Sequence, residues 1–158
     1  MEYRLETLRL TIDELIKEKQ PERDRYFYVH LYGVSHFCTL LALRRNLNVE
    51  LATTCGMLHD IYPVLYGSYE NHGIKGAEQA EKILRATNLY NDDEISIITN
   101  AISRHSDKDI IQDPYDEVLK DGDVMSHCLY NTDLPVNEKE IKRLKKILTE
   151  LGIQTNAG

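Results

Sequence analysis

Six histidines are the residues of this chain best equipped for chemistry: His30, His36, His59, His72, His105 and His127. One of them forms the dipeptide His59-Asp60. Neutral imidazole and ionised carboxylate together suit Mn, Fe, Ni, Co or Zn, whereas an all-oxygen set would favour Mg or Ca. The dipeptide alone is weak, since chance supplies about half such a pair in a chain of this composition. If the pair lies on a helix, its two side chains point about 100° apart, so they can still share one ion, or Asp60 can bridge two. The three cysteines, Cys38, Cys55 and Cys128, are odd in number, far apart and form no Cys-x-x-Cys pair. They read as buried thiols, not as a disulfide framework or a thiolate zinc site.

The elements that must position these residues are helices. Leu5, Leu8, Ile12, Leu15 and Ile16 recur at three- and four-residue spacings, a stripe that Pro21 interrupts. A second helix is expected from Glu22 to Arg45, carrying His30, and a third from Val49 to Tyr62, carrying His59, with Pro63 as its stop. Val64 to Asn71 has no period and reads as a loop. A fourth helix covers Ile74 to Thr87, and Asn91 with Glu94 makes a capping box ahead of Ile95, Ile98 and Ile102. Asp113 as N-cap before Pro114 opens a sixth helix through Cys128. Asn137 with Glu140 repeats the box ahead of Ile141, Leu144, Leu148 and Leu151, on a helix whose other face carries Lys139, Lys142, Arg143, Lys145 and Lys146 and reads as solvated. The fold class is all-α, a bundle of about seven helices with no sheet. A single unit over 1–158 is expected, with a core at about 22–131 and helices 3–19 and 138–152 packed on it.

At 158 residues, with 42% hydrophobic and 28% charged residues, the chain has the balance of a globular domain and not of a disordered one. No apolar run approaches the roughly 20 residues that span a bilayer, and the N-terminus, with Glu2 and Glu6, lacks the pattern of a secretory signal. A cytoplasmic protein with no membrane partner is the expectation. The net charge of −7 argues against a nucleic acid polymer as partner. A small phosphorylated molecule fits only if something local supplies positive charge, for which bound metal is the obvious source. A homodimer stays open.

Context raises the His-Asp pair above chance. His30 opens H-L-Y-G-V, the chain continues through L-L-A-L-R-R-N-L-N-V-E to G-M-L-H-D, and then come N-H-G-I-K-G-A at His72, A-I-S-R-H-S at His105 and V-L-K-D-G-D-V at Asp121 and Asp123. This succession, from about Tyr28 to Tyr130, resembles the HD superfamily of metal-dependent phosphohydrolases. The resemblance implies that His30, His59, Asp60 and Asp123 bind a first divalent metal. His72 and His105 match the histidines that hold a second metal in some branches, with Asp60 then bridging. Asp121 is the fallback for Asp123, and His36 competes with His30, which the following Gly33-Val34 favours. Gly33 is read as letting neighbouring helices approach.

Four histidines, two aspartates and two divalent ions leave a formal charge of about +2 at the centre, the local positive charge that the acidic chain otherwise lacks. One or two ions of Fe, Mn, Ni, Co, Zn or Mg are implied, with metal-activated water hydrolysing a phosphomonoester or phosphoanhydride. Asp60, Lys108 and Arg104 are the residues expected to act in the reaction, and Lys75, Lys108 and Arg104 to contact substrate phosphate.

The pattern is most similar to the bacterial diadenosine-tetraphosphatase-like branch, in H-x-x-G-V, L-H-D, H-G-x-x-G-A and A-I-x-x-H, which points to a nucleotide or dinucleotide. It departs from that branch in the short segment Ile61 to Asn71 and in Tyr62-Pro63, where a lysine is often found. Tyr28, Tyr32, Tyr62, Tyr66 and Tyr69 lie around the motifs, either to meet a base or to fill the core. Two other functions use nearly the same ligands: a di-iron oxygenase, and a non-catalytic nucleotide-binding module. His36 and His127 read as ordinary surface histidines, although His127 falls one helical turn after Asp123.

Overall fold

A helix with apolar or small residues on every side must be enclosed by others. That helix is α3, Val49–Leu58, whose residues from Leu51 to Leu58 are all buried. In the computed structural model, which describes residues 3–154, it is the axis around which the site is built. Asn48 caps it by accepting from the Leu51 amide, and the Thr53 and Thr54 hydroxyls donate to the carbonyls of Val49 and Glu50 one turn back, so no buried hydroxyl is left without a partner.

Among the described residues there are eight helices and no strand, so the chain is all-α as expected. They are α1 (Arg4–Lys19), α2 (Asp24–Arg45), α3, α4 (Ile61–Tyr66), α5 (His72–Thr87), α6 (Asp92–Arg104), α7 (Pro114–Tyr130) and α8 (Glu138–Glu150). Residues 1–2 and 155–158, which the expected unit 1–158 includes, lie outside the described residues. No described helix is long and apolar enough to cross a membrane.

Helix α2 packs along α3 and α7, and α6 packs on α3, α5 and α7. Close approach requires missing side chains. A Cβ at Gly56 would lie 2.5 Å from the Ser35 Cα of α2, one at Gly122 2.7 Å from Cys38 Sγ, and one at Gly33 3.1 Å from Ser126 Oγ of α7, which bears out the packing role read for Gly33. The α1 stripe holds, with Leu8, Ile12 and Ile16 fully buried, each contributing about 1.5–3 kcal/mol. Cys38, Cys55 and Cys128 are buried free thiols.

Two expectations fail at Pro63. It does not stop a long third helix: α3 ends at Leu58, the chain turns through His59 and Asp60, and Pro63 sits in the first turn of α4, where an amide is not needed. Val64 to Tyr66, expected in a loop, belongs to that helix, and Gly67 ends it at φ 66°. Helix α5 begins at His72 rather than Ile74, and α7 runs on to Tyr130. The capping box at Asn91 forms, and Asp113, expected as an N-cap, donates its amide to the Asp116 carboxylate. At Asn137 the side chain accepts from the Lys139 amide, but Glu140 does not return the bond; its carboxylate reaches His127. On α8 the lysines are exposed, whereas Arg143 turns inward to Glu117, Asp121 and the Lys108 carbonyl.

Candidate metal centre

The break between α3 and α4 sets the site. His59 caps the C-terminus of α3, Asp60 stands before α4, His72 opens α5, His105 caps the C-terminus of α6, and His30 and Asp123 project from within α2 and α7. Helix ends and long helix faces thus bring six residues from six helices to one place, and all but His72 are buried.

Asp60 lies between two pairs of imidazoles. Its Oδ2 is 3.1 Å from His30 Nε2 and 3.4 Å from His59 Nε2, while its Oδ1 is 3.4 Å from His72 Nε2 and 3.5 Å from His105 Nε2. Within each pair the Nε2 atoms are 3.1 Å apart. Asp123 Oδ1 closes the first group at 3.6 Å from His30 Nε2 and 3.7 Å from His59 Nε2.

Hydrogen bonding fixes what these nitrogens offer. The Nδ1–H groups of His59, His72 and His105 donate to the carbonyls of Gly56, Tyr69 and Ile102, at 2.7, 2.8 and 2.7 Å. A carbonyl can only accept, so each neutral ring presents its Nε2 lone pair to the cluster. Two such lone pairs 3.1 Å apart, as in His72 and His105, repel unless a proton or a cation lies between them. The same separation suits two ligands that each lie about 2.1 Å from one ion. Asp60 Oδ1 and Asp123 Oδ1 are buried and accept no hydrogen bond, a costly state that a cation relieves. The donor set of imidazoles and carboxylates therefore fits one or two divalent ions, and four overlapping groups can hold one: His30–His59–Asp60, Asp60–His72–His105, His59–His105–Asp123 and His30–Asp123–His127.

The two carboxylates draw positive charge to the cluster, which a proton on His59 or a metal ion can supply. Burial opposes charge on His59, yet Asp60 and Asp123 overcome it and push the imidazole up to about 9. Burial would likewise raise Asp60, but the charge of His59 and the contacts of His105 and His30 hold it well below the carboxylate range. Asp123 is lowered against its burial by Lys108 first and His59 next. Burial, reinforced by the charge of His59, lowers His105, which keeps its lone pair available.

The cations divide. Lys108 reaches the cluster, donating to Asp123 Oδ2 and to the His105 carbonyl, each at 2.6 Å. Arg104 does not: its guanidinium donates to Asp113 and Asp116 at the start of α7, because the residue before the helix-ending His105 points away from the side that His105 faces. Its contacts lend no support to the role in reaction and phosphate binding expected for it. Lys75 has its ammonium over the Tyr62 ring, 5.2 Å from the centroid, with no bond to the cluster. Asp121 bonds Arg45 and Arg143 and leaves the cluster to Asp123. His36 is exposed and apart.

One feature was left open by the sequence reading and a second escaped it. His127 joins the cluster edge, its Nε2 3.6 Å from Asp123 Oδ1 and its ring stacked on His30 at 5.2 Å. Tyr26 stacks on His30 at 5.8 Å, and with Arg25, His127 and Tyr130 it lines a recess of about 290 Å³. The one-turn spacing of Asp123 and His127 was the available signal for the first; nothing marked the second. Tyr28 and Tyr32 instead bond Asp13 of α1 and serve packing.

Comparison with known proteins agrees with this geometry. A family model described as HD domain matches residues 27–149. A Clostridium beijerinckii protein described as uncharacterized is 36% identical over 103 residues, which cover 60% of this chain and 64% of that one, so the chain spans less than two thirds of the relative's length. No solved structure matches. Matched over most of its length, the chain belongs to the HD domain family, whose members bind divalent metals and are typically metal-dependent phosphohydrolases.

Proposed function

We propose that this chain hydrolyses a small phosphorylated substrate, a nucleotide or dinucleotide, at the cluster of His30, His59, Asp60, His72, His105 and Asp123. The observation that carries the reading is the position of Asp60, with one oxygen facing His30 and His59 and the other facing His72 and His105. That arrangement fits a carboxylate shared by two divalent ions. Such ions, when bound, lower the pKa of water from about 16 to about 7 and offset charge on phosphoryl oxygens.

The chain's own groups do the rest. Asp60 Oδ1 and Asp123 Oδ1, buried and unpartnered, hold the negative charge that retains the cations. Lys108 has three N–H donors and uses two, on Asp123 and the His105 carbonyl, which leaves one for a phosphate oxygen. The recess on the His30 side supports the choice of substrate: Tyr26 and Tyr130 offer aromatic faces to a base and Arg25 offers a cation.

The test is a panel of nucleotides, dinucleotides and sugar phosphates offered to the purified chain with Mn, Co, Ni or Mg, with and without oxygen. Turnover of a nucleotide or dinucleotide that persists without oxygen and disappears in a His59→Ala, Asp60→Ala double variant is the expected result. Activity that survives in the double variant, activity that requires oxygen, or no turnover by metal-loaded protein would overturn it.

A further inference from the structure

We infer that His127 is an additional protein ligand of the metal centre, entering from its half-exposed side and aimed by Glu140 of α8. The inference rests on the reading of the cluster as a metal site and goes beyond the six residues assigned to it.

Asp123 Oδ1 is buried and accepts no hydrogen bond, yet three imidazole Nε2 atoms converge on it, from His30 at 3.6 Å, His59 at 3.7 Å and His127 at 3.6 Å. None is close enough to donate a hydrogen bond, so the carboxylate oxygen is ringed by nitrogens without being satisfied by any of them. His30, Asp123 and His127 each offer a ligand atom, all within 4.8 Å of one another.

The polarity of His127 matches the buried ligands. Its Nδ1 lies 3.0 Å from Glu140 Oε1, and an ionised carboxylate only accepts, so Nδ1 carries the hydrogen and Nε2 presents its lone pair to Asp123. A carboxylate behind an imidazole is the arrangement that orients metal-bound histidines and raises their basicity. Glu140 is free for this because it does not complete the capping box with Asn137. The near-parallel stack of the His127 and His30 rings, 5.2 Å between centroids and 10° between planes, fixes the approach of α7 to α2 at this point.

His127 differs from the other ligands in exposure. Its side chain is 47% exposed, and it lines the recess beside Tyr26 and Tyr130. It would therefore hold an ion from the solvent side of the cluster.

The test uses the full chain loaded with cobalt, whose visible absorption reports the number and type of ligands, and competition with a chelator, which reports retention. His127→Phe keeps a flat ring against His30 and removes both nitrogens, so loss of folding does not enter; far-UV circular dichroism of the ion-free variant checks this. We expect His127→Phe to change the cobalt band and to weaken retention by about tenfold or more, and Glu140→Ala to weaken it while keeping the band shape. A wild-type band and wild-type retention in His127→Phe would overturn the inference and leave a merely structural ion pair with Asp123 and Glu140. A His59→Ala control separates this from failure of the wider reading: if that variant also binds cobalt like the wild type, the whole centre is wrong and not His127 alone.

Discussion

Lys108 donates to one oxygen of Asp123 at 2.6 Å while the other oxygen of the same carboxylate, facing three imidazoles, accepts nothing. One cation of the chain thus anchors the carboxylate from behind and leaves its front for an ion. Lys108→Met should loosen that anchor and strip Oδ2 of its donor. Metal retention is expected to fall about 10–100-fold, with a loss of turnover at saturating metal. Dialysis against a chelator followed by metal analysis, beside a phosphate-release assay, gives both numbers; unchanged values in each would remove Lys108 from the site.

Gly56 carries two duties at once. A Cβ there would meet the Ser35 Cα at 2.5 Å and its amide nitrogen at 2.8 Å, main-chain atoms that cannot step aside without moving α2. Its carbonyl also receives the His59 Nδ1–H. Gly56→Ala should destabilise the fold by about 1–3 kcal/mol in urea unfolding, and should weaken metal retention in the still-folded fraction. A stability loss without any change in retention would show that the His59 ring does not depend on this turn.

Acid should release α8 before it unfolds the core. Glu150 is held below its ordinary 4.5 by its hydrogen bond with Arg45, and Glu117, although burial would raise it, is held below 4.5 by Arg143. Both are depressed carboxylates, so the stability they contribute is present above about pH 4.5 and is lost as pH falls through their lower folded values. Amide protection on α8, corrected for the intrinsic exchange rate and followed from pH 6 downwards, should be lost before protection on α3. Simultaneous loss of both would contradict this order.

Arg104→Gln should leave turnover unchanged and lower the thermal midpoint, since its guanidinium serves Asp113 and the buried Asp116 at the N-terminus of α7. A fall in turnover with unaltered stability would return Arg104 to the reaction.

The six residues that cluster were reached through the succession of motifs that resembles a known family, since residue type alone left the His59-Asp60 pair at chance level. The scaffold was legible where apolar spacing was regular, as in α1, and where a cap was written in side chains, as at Asn91. It was misread at Pro63, because proline stops a helix that precedes it but also starts one that follows, and only the turn at His59 and Asp60 decides between them. Arg143 looked solvated beside four lysines; its inward turn depends on Glu117 and Asp121 of another helix, a pairing that no local pattern contains. Glu140 is the same case in reverse, a residue with the right spacing for a cap that a distant histidine captured. Arg104 stands one residue from His105 in the chain and Lys108 three, yet it is Lys108 that reaches the cluster, because the turn after α6 brings it back to the His105 carbonyl and Asp123.

The carbonyls that hold His59, His72 and His105 all belong to the residue three positions earlier, at the edge of a helix. Each ring is thus aimed by its own four-residue stretch, not by the surrounding layers. Such stretches are portable: substitutions elsewhere in the bundle can accumulate without rotating the rings, so long as the helix ends stay where they are. Distant descendants of this chain would then keep the same aim of nitrogen atoms on backgrounds that share little else.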